Sequence, residues 1–102
     1  MDDTLTIAVT PQPDHMLIEM DGELDAATAP HVIVTVEPHL TAGASVLIDA
    51  ECVTFVDSAG LRSLLTLRAR ASDNDATLRI VNASEAARRL IELVGLTDHL
   101  LG

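Results

Sequence analysis

The chain has no lysine, no tryptophan and no tyrosine, with one phenylalanine and one cysteine among its 102 residues. Each absence removes something. Without lysine there is no Walker-type phosphate-binding lysine, no Schiff-base nucleophile and no kinase strand lysine. A single cysteine, Cys52, cannot close an intramolecular disulfide. By itself it reads as a small buried thiol. His15, His31, His39 and His99 lie far apart without ligand spacing, so neither a metal site nor a catalytic histidine is expected. With Phe55 as the sole aromatic, the core must be aliphatic. Basic clusters are missing too. Six arginines against 16 acidic residues leave a formal net charge of −10, which argues against direct contact with nucleic acid, since phosphate binding needs clustered cations. The acidic surface suits solubility and a fast encounter with a basic protein face. No basic leader or run of membrane-spanning length is present, so no membrane insertion and a cytoplasmic location are expected.

What is present has the size of one domain, 1–102, able to bury roughly two thirds of the surface its unfolded chain exposes. Leu5, Ile7 and Val9 alternate with Thr6, Ala8 and Thr10, a strand with one buried face. Pro11-Gln12-Pro13-Asp14 is turn chemistry, and His15 to Met20 is a second strand, giving an opening hairpin. Beyond Gly22-Glu23-Leu24-Asp25, the apolar positions Ala29, Val32, Ile33, Val36 and Leu40 recur at helical spacing. Thr28 is the expected N-cap, with Pro30 in the first turn. The β-branched content is high, and Pro38 should end or kink this helix near Glu37.

Ala44 to Asp49 is a continuous apolar run, expected as a central strand covered on both faces or nearly so. The helix after Ser58 turns Leu61, Leu64, Leu65 and Ala71 inward, leaving Arg62 and Arg70 to solvent. Ser72-Asp73-Asn74-Asp75 closes it, and Thr77 to Val81 is the next strand. The last helix has Ser84 as cap, Glu85 in its first turn, an apolar stripe of Ala87, Leu90, Ile91 and Val94, and Gly95 as its stop, with Leu96 packing back. Strands and helices alternate after the hairpin. The expected fold is α/β, a single domain with a mixed sheet of about four to five strands covered by helices.

The chemistry concentrates at Val53-Thr54-Phe55-Val56-Asp57-Ser58-Ala59-Gly60-Leu61, where a strand hands over to a helix. Unpaired N–H groups of a first helical turn and the positive end of the helix dipole favour an anion there, which makes Ser58 a candidate phosphoacceptor. Serine is also a preferred N-cap, so on its own the residue has a purely structural reading. Asp57 is equally a helix-start charge or a residue that helps position an incoming phosphoryl donor. Gly60 fits a close backbone approach, and Leu61 the core. Asp25 is either a turn residue satisfying local N–H groups or part of a binding surface near Ser58. An esterase is not supported, because Val56-Asp57-Ser58-Ala59-Gly60 lacks the glycine two places before the serine that a nucleophile elbow needs.

The run Phe55-Val56-Asp57-Ser58-Ala59-Gly60-Leu61 resembles the phosphorylation motif of STAS domains, and among them of bacterial anti-sigma factor antagonists. Gly22-Glu23-Leu24-Asp25 with Thr28-Ala29-Pro30 resembles the family's strand-to-helix segment, and Gly95-Leu96 its C-terminal ending. The resemblance implies a STAS-like fold and a regulatory cycle rather than an enzyme. Unphosphorylated, such a protein binds an anti-sigma factor that is also a serine kinase, and so releases a sigma factor. The kinase phosphorylates the serine, here Ser58, the complex separates, and a serine phosphatase resets it. Asp25, Asp57, Ser58, Ala59 and Gly60 would then form the partner-binding surface, with no cofactor and no metal. Two features depart from the family pattern. Glu51-Cys52 replaces a small Ser-Gly pair at an expected turn, and the helix after Thr28 is unusually β-branched and interrupted by Pro38. The competing reading keeps the fold but makes the chain a non-switching subunit of a transport or signalling assembly, with Ser58 merely a cap.

Overall fold

The computed structural model describes residues 4–93. They form β1 (Leu5–Pro11), β2 (Met16–Leu24), α1 (Ala29–Val36), a 3-10 turn (Glu37–His39), β3 (Ser45–Val56), α2 (Ser58–Asp73), β4 (Thr77–Val81) and α3 (Glu85–Leu93). The four strands make one sheet in the order β1-β2-β3-β4. β1 is antiparallel to β2, while β2, β3 and β4 run parallel. This is the expected mixed sheet. Parallel neighbours cannot be joined by a tight turn, and α1 and α2 supply the two crossovers.

The hairpin pairs Leu5 with Gly22 at one end and Pro11 with Met16 at the other. Gln12 N–H donates to the His15 carbonyl at 2.8 Å to close the turn. β2 runs four residues beyond Met20, through Asp21-Gly22-Glu23-Leu24. That extension is polar and carries a glycine, so no alternation announces it. It exists because β1 and β3 flank it and satisfy its backbone. Gly22 has φ +126°, and a Cβ there would collide with the Thr4 backbone.

β3 is likewise longer than its apolar run, reaching Val56. Asp49 faces Glu19 and Cys52 faces Asp21; then Val53 faces Gly22 and Phe55 faces Glu23. At each step β3 spends one residue more than β2, which makes two bulges. They carry the strand through Glu51-Cys52, where a turn was expected.

The crossover helices α1 and α2 cover one face of this sheet. Both crossovers advance the sheet in the same direction, and right-handed connections of that kind place their helices on the same side. Ile18, Val46, Ile48 and Ile80 face Val32, Val36, Leu64 and Leu67 in a single core. The alternate positions of β3 are different: Leu47 and Asp49 are half-buried and Glu51 is exposed. The expectation of a strand covered on both faces is therefore corrected. Cys52 is corrected as well, since it is exposed. It sits past the first bulge among Glu19, Asp21, Asp49 and Glu51, and these residues line one side of the uncovered surface. Loss of hydration first, and then the field of Asp21, Glu51, Asp49 and Glu19, push its thiol pKa up. The core is aliphatic, because Phe55 is 49 % exposed.

α1 ends at Val36, and Pro38 sits in the 3-10 turn that follows. Arg70 of α2 is not left to solvent alone but pairs with Glu37 of that turn. In α3 the Ser84 hydroxyl accepts from Ala87 N–H at 3.1 Å, as expected of a cap, and Ala87 is buried. The side chains of Leu90 and Ile91, and residues Val94, Gly95, Leu96 and His99, lie outside what is described. Among the described residues, no helix is long and apolar enough to cross a membrane.

Candidate functional site

The turn from β3 into α2 is built almost wholly by Asp57. Its backbone is extended at φ −106° and ψ −176°, and its carboxylate accepts from Gly60 N–H at 2.8 Å. Its carbonyl accepts the first helical bond from Leu61 N–H at 2.9 Å, and its own N–H donates to the Leu24 carbonyl at 3.1 Å. Asp57 is thus the N-cap. The cap reading of Ser58 is overturned, because a residue already in helical geometry cannot fold its hydroxyl back onto the first turn. Ser58 is instead the first residue of the helix, exposed, and its hydroxyl makes no hydrogen bond among the described residues. The N–H groups of Ser58 and Ala59 precede the first intrahelical bond, so donors and the helix dipole surround that hydroxyl.

Gly60 allows the approach expected of it. A Cβ there would lie 2.7 Å from the Leu24 carbonyl carbon and 2.9 Å from the Leu24 Cγ. The end of β2 therefore rests directly on the first turn of α2. Asp25 follows Leu24 and takes the turn role. Its carboxylate accepts from the N–H groups of Ala27 and Thr28, both at 3.0 Å. Thr28 is buried, and its hydroxyl accepts from Asp25 N–H at 2.9 Å and donates to the Glu23 carbonyl at 2.9 Å. Thr28 occupies the N-cap position of α1 but makes no side-chain cap bond, contrary to expectation, because its oxygen is spent inside the loop. The structure so gathers Asp57, Ser58, Ala59 and Gly60 in one turn, with the loop carrying Asp25 locked beside them.

Two neighbours of the site were not read from the sequence. Phe55 stands half-exposed near the end of β3. A groove of about 350 Å³ opens between α1 and α2, with Ala59, Arg62, Ser63, Thr66 and Arg70 on one wall and Ala29, Pro30 and Ile33 on the other. The α2 wall follows helical spacing, a face of small and polar residues that could have disclosed it. Nothing local announces which helix faces it. Among the described residues, no group of His, Cys, Asp and Glu is arranged to hold a metal ion.

A mixed four-stranded sheet with its parallel strands joined through α1 and α2 is the fold of a STAS domain. The STAS domain family matches residues 6–101. A relative from Staphylococcus aureus, an anti-sigma-B factor antagonist, is 30% identical over 95 residues, spanning 92% of this chain and 88% of its own. The crystal structure of an anti-sigma factor antagonist from Mycobacterium paratuberculosis superposes with a TM-score of 0.83 at 25% identity, over 98% of this chain and 86% of that one. The unphosphorylated SpoIIAA anti-sigma factor antagonist shares the fold, with a TM-score of 0.76 at 17% identity over 94% of this chain and 86% of its own. The chain belongs to the STAS domain family, in its anti-sigma factor antagonist branch.

Proposed function

We propose that this chain is a phosphoswitch: unphosphorylated, it binds an anti-sigma factor that is also a serine kinase, and a phosphoryl group on Ser58 breaks that complex. The partner would rest on Asp57, Ser58, Ala59 and Gly60, with the Asp25 loop alongside, and a serine phosphatase would restore the binding form. This makes the chain a ligand and substrate rather than an enzyme. The observation that carries the reading is the division of labour at the turn. Asp57 holds the cap, so Ser58 can be modified without loss of any bond that shapes the helix.

The energetics agree. A phosphoryl group brings about −1.5 to −2 charges and three acceptor oxygens. Locally the helix dipole stabilises an anion by roughly 0.3 to 1 kcal/mol. Across an interface the same group is bulky, strongly hydrated and next to Asp57. A penalty of about 3 kcal/mol there weakens binding on the order of a hundredfold. Incubation with a candidate anti-sigma kinase of the same genome and ATP, followed by mass spectrometry, should place one phosphate on Ser58. Equal labelling of Ser58→Ala would overturn the site. Recovery of transporter subunits in a pull-down, with no ATP-binding anti-sigma protein, would favour the assembly reading instead.

A further inference from the structure

The groove between α1 and α2 inverts the charge of the molecule locally. Its lining holds Arg62 and Arg70 and no carboxylate, in a chain where 16 acidic residues outnumber six arginines. Arg70 is engaged by Glu37. Arg62 is exposed and has no ion-pair partner among the described residues. Ser63 and Thr66 lie between these cations on α2, and the facing α1 wall is apolar, with Ala29, Pro30 and Ile33. The chemistry that fits is an apolar side chain flanked by a carboxylate.

Arg62 also follows Ser58 by four residues on α2, so the two share a helix face. Helical side chains lean toward the N-terminus of their helix, which carries a long arginine back over the first turn. An acid placed before a base at this spacing is the favourable order. A phosphoryl group on Ser58 would therefore meet that guanidinium in a charge-assisted contact.

We infer that Arg62 is the docking cation of this groove, receiving a carboxylate beside an apolar anchor of the anti-sigma partner, and that phosphorylation of Ser58 captures the same guanidinium. The inference rests on the Ser58 reading above and deepens it. Release is then a competition within the chain as well as repulsion across the interface. Partner carboxylate and phosphate claim one cation, and the phosphate holds it at higher effective concentration because it is on the same helix.

The test separates the two readings. Phosphoserine is installed at position 58 during translation, without any kinase, and its phosphorus resonance is titrated in the full chain. Its second ionisation should fall lower than in the same chain carrying Arg62→Gln, by roughly half a unit or less, the size an exposed pair supports, and the difference should shrink at 1 M salt. Identical titrations would overturn the capture. The anti-sigma kinase that modifies Ser58 is then bound to wild type and Arg62→Gln, each with and without the phosphate. Arg62→Gln should weaken the unphosphorylated complex about tenfold, the scale of one charge-assisted contact, and phosphorylation should weaken the variant by correspondingly less than it weakens wild type. Strictly additive effects would overturn the shared guanidinium. A failure to find any kinase acting on Ser58 would sink the parent reading, while the titration would still decide whether Arg62 takes the phosphate.

Discussion

The Leu24 carbonyl is clamped between Asp57 and Gly60: it accepts the Asp57 N–H at 3.1 Å, and its carbon lies 2.7 Å from where a Gly60 side chain would begin. One oxygen thus ties the end of β2 to the start of α2. The contact has a simple consequence for substitution. Gly60→Ala must push two backbone segments apart, because the obstructing atoms are not the tip of a flexible side chain. Strain of this kind costs about 1–3 kcal/mol, and urea unfolding should show a lower midpoint with an unchanged slope. An unaffected midpoint would mean that the two segments are not held this closely.

Asp57 has a structural duty that can be separated from any contact with a partner. Asp57→Ala removes the cap and should destabilise the chain by about 1 kcal/mol, whereas Asp57→Asn retains an acceptor and should cost a few tenths. Thermal unfolding checks the pair. If asparagine keeps the stability yet loses the anti-sigma protein, the carboxylate charge is part of the interface; if both variants bind as wild type, its role ends at the cap.

Phosphorylation should leave the fold intact. With phosphoserine at position 58 and no partner present, the unfolding temperature should stay level or rise slightly, since the anion sits at the positive end of α2 and displaces no bond. Differential scanning calorimetry in low salt is the sensitive measurement. A drop of several degrees would show that Ser58 is needed unmodified for the helix to start.

Cys52 should be a poor nucleophile despite its exposure. Its raised pKa means that less thiolate is present near pH 7 to 8 than for a free cysteine, so alkylation by iodoacetamide should be slower there and reach its plateau only at more alkaline pH. Added salt should quicken it by screening Asp21, Glu51, Asp49 and Glu19. A rate at neutral pH above that of a free thiol would contradict the acidic setting described here.

Much of this architecture was legible in the linear chain because its signals are local. Alternation at Leu5, Ile7 and Val9, the proline after Glu37, and the Asp57-Ser58 break after an apolar run each express a preference of a few neighbouring residues for one backbone geometry. The placement of an exposed serine at a helix start belongs to that group, as does an aliphatic core in a chain with one aromatic. Tertiary structure alone decided the rest. It extended β2 and β3 through polar residues that only flanking strands could recruit, and it gave the cap to Asp57 and left the Ser58 hydroxyl free. It also bared Cys52 past a bulge and opened a cationic groove between α1 and α2. The physical reason is range. Periodicity reports which side of an element is apolar, but which element stands opposite, and therefore which backbone group or charge is left without a partner, depends on crossovers and register that no short window of sequence contains.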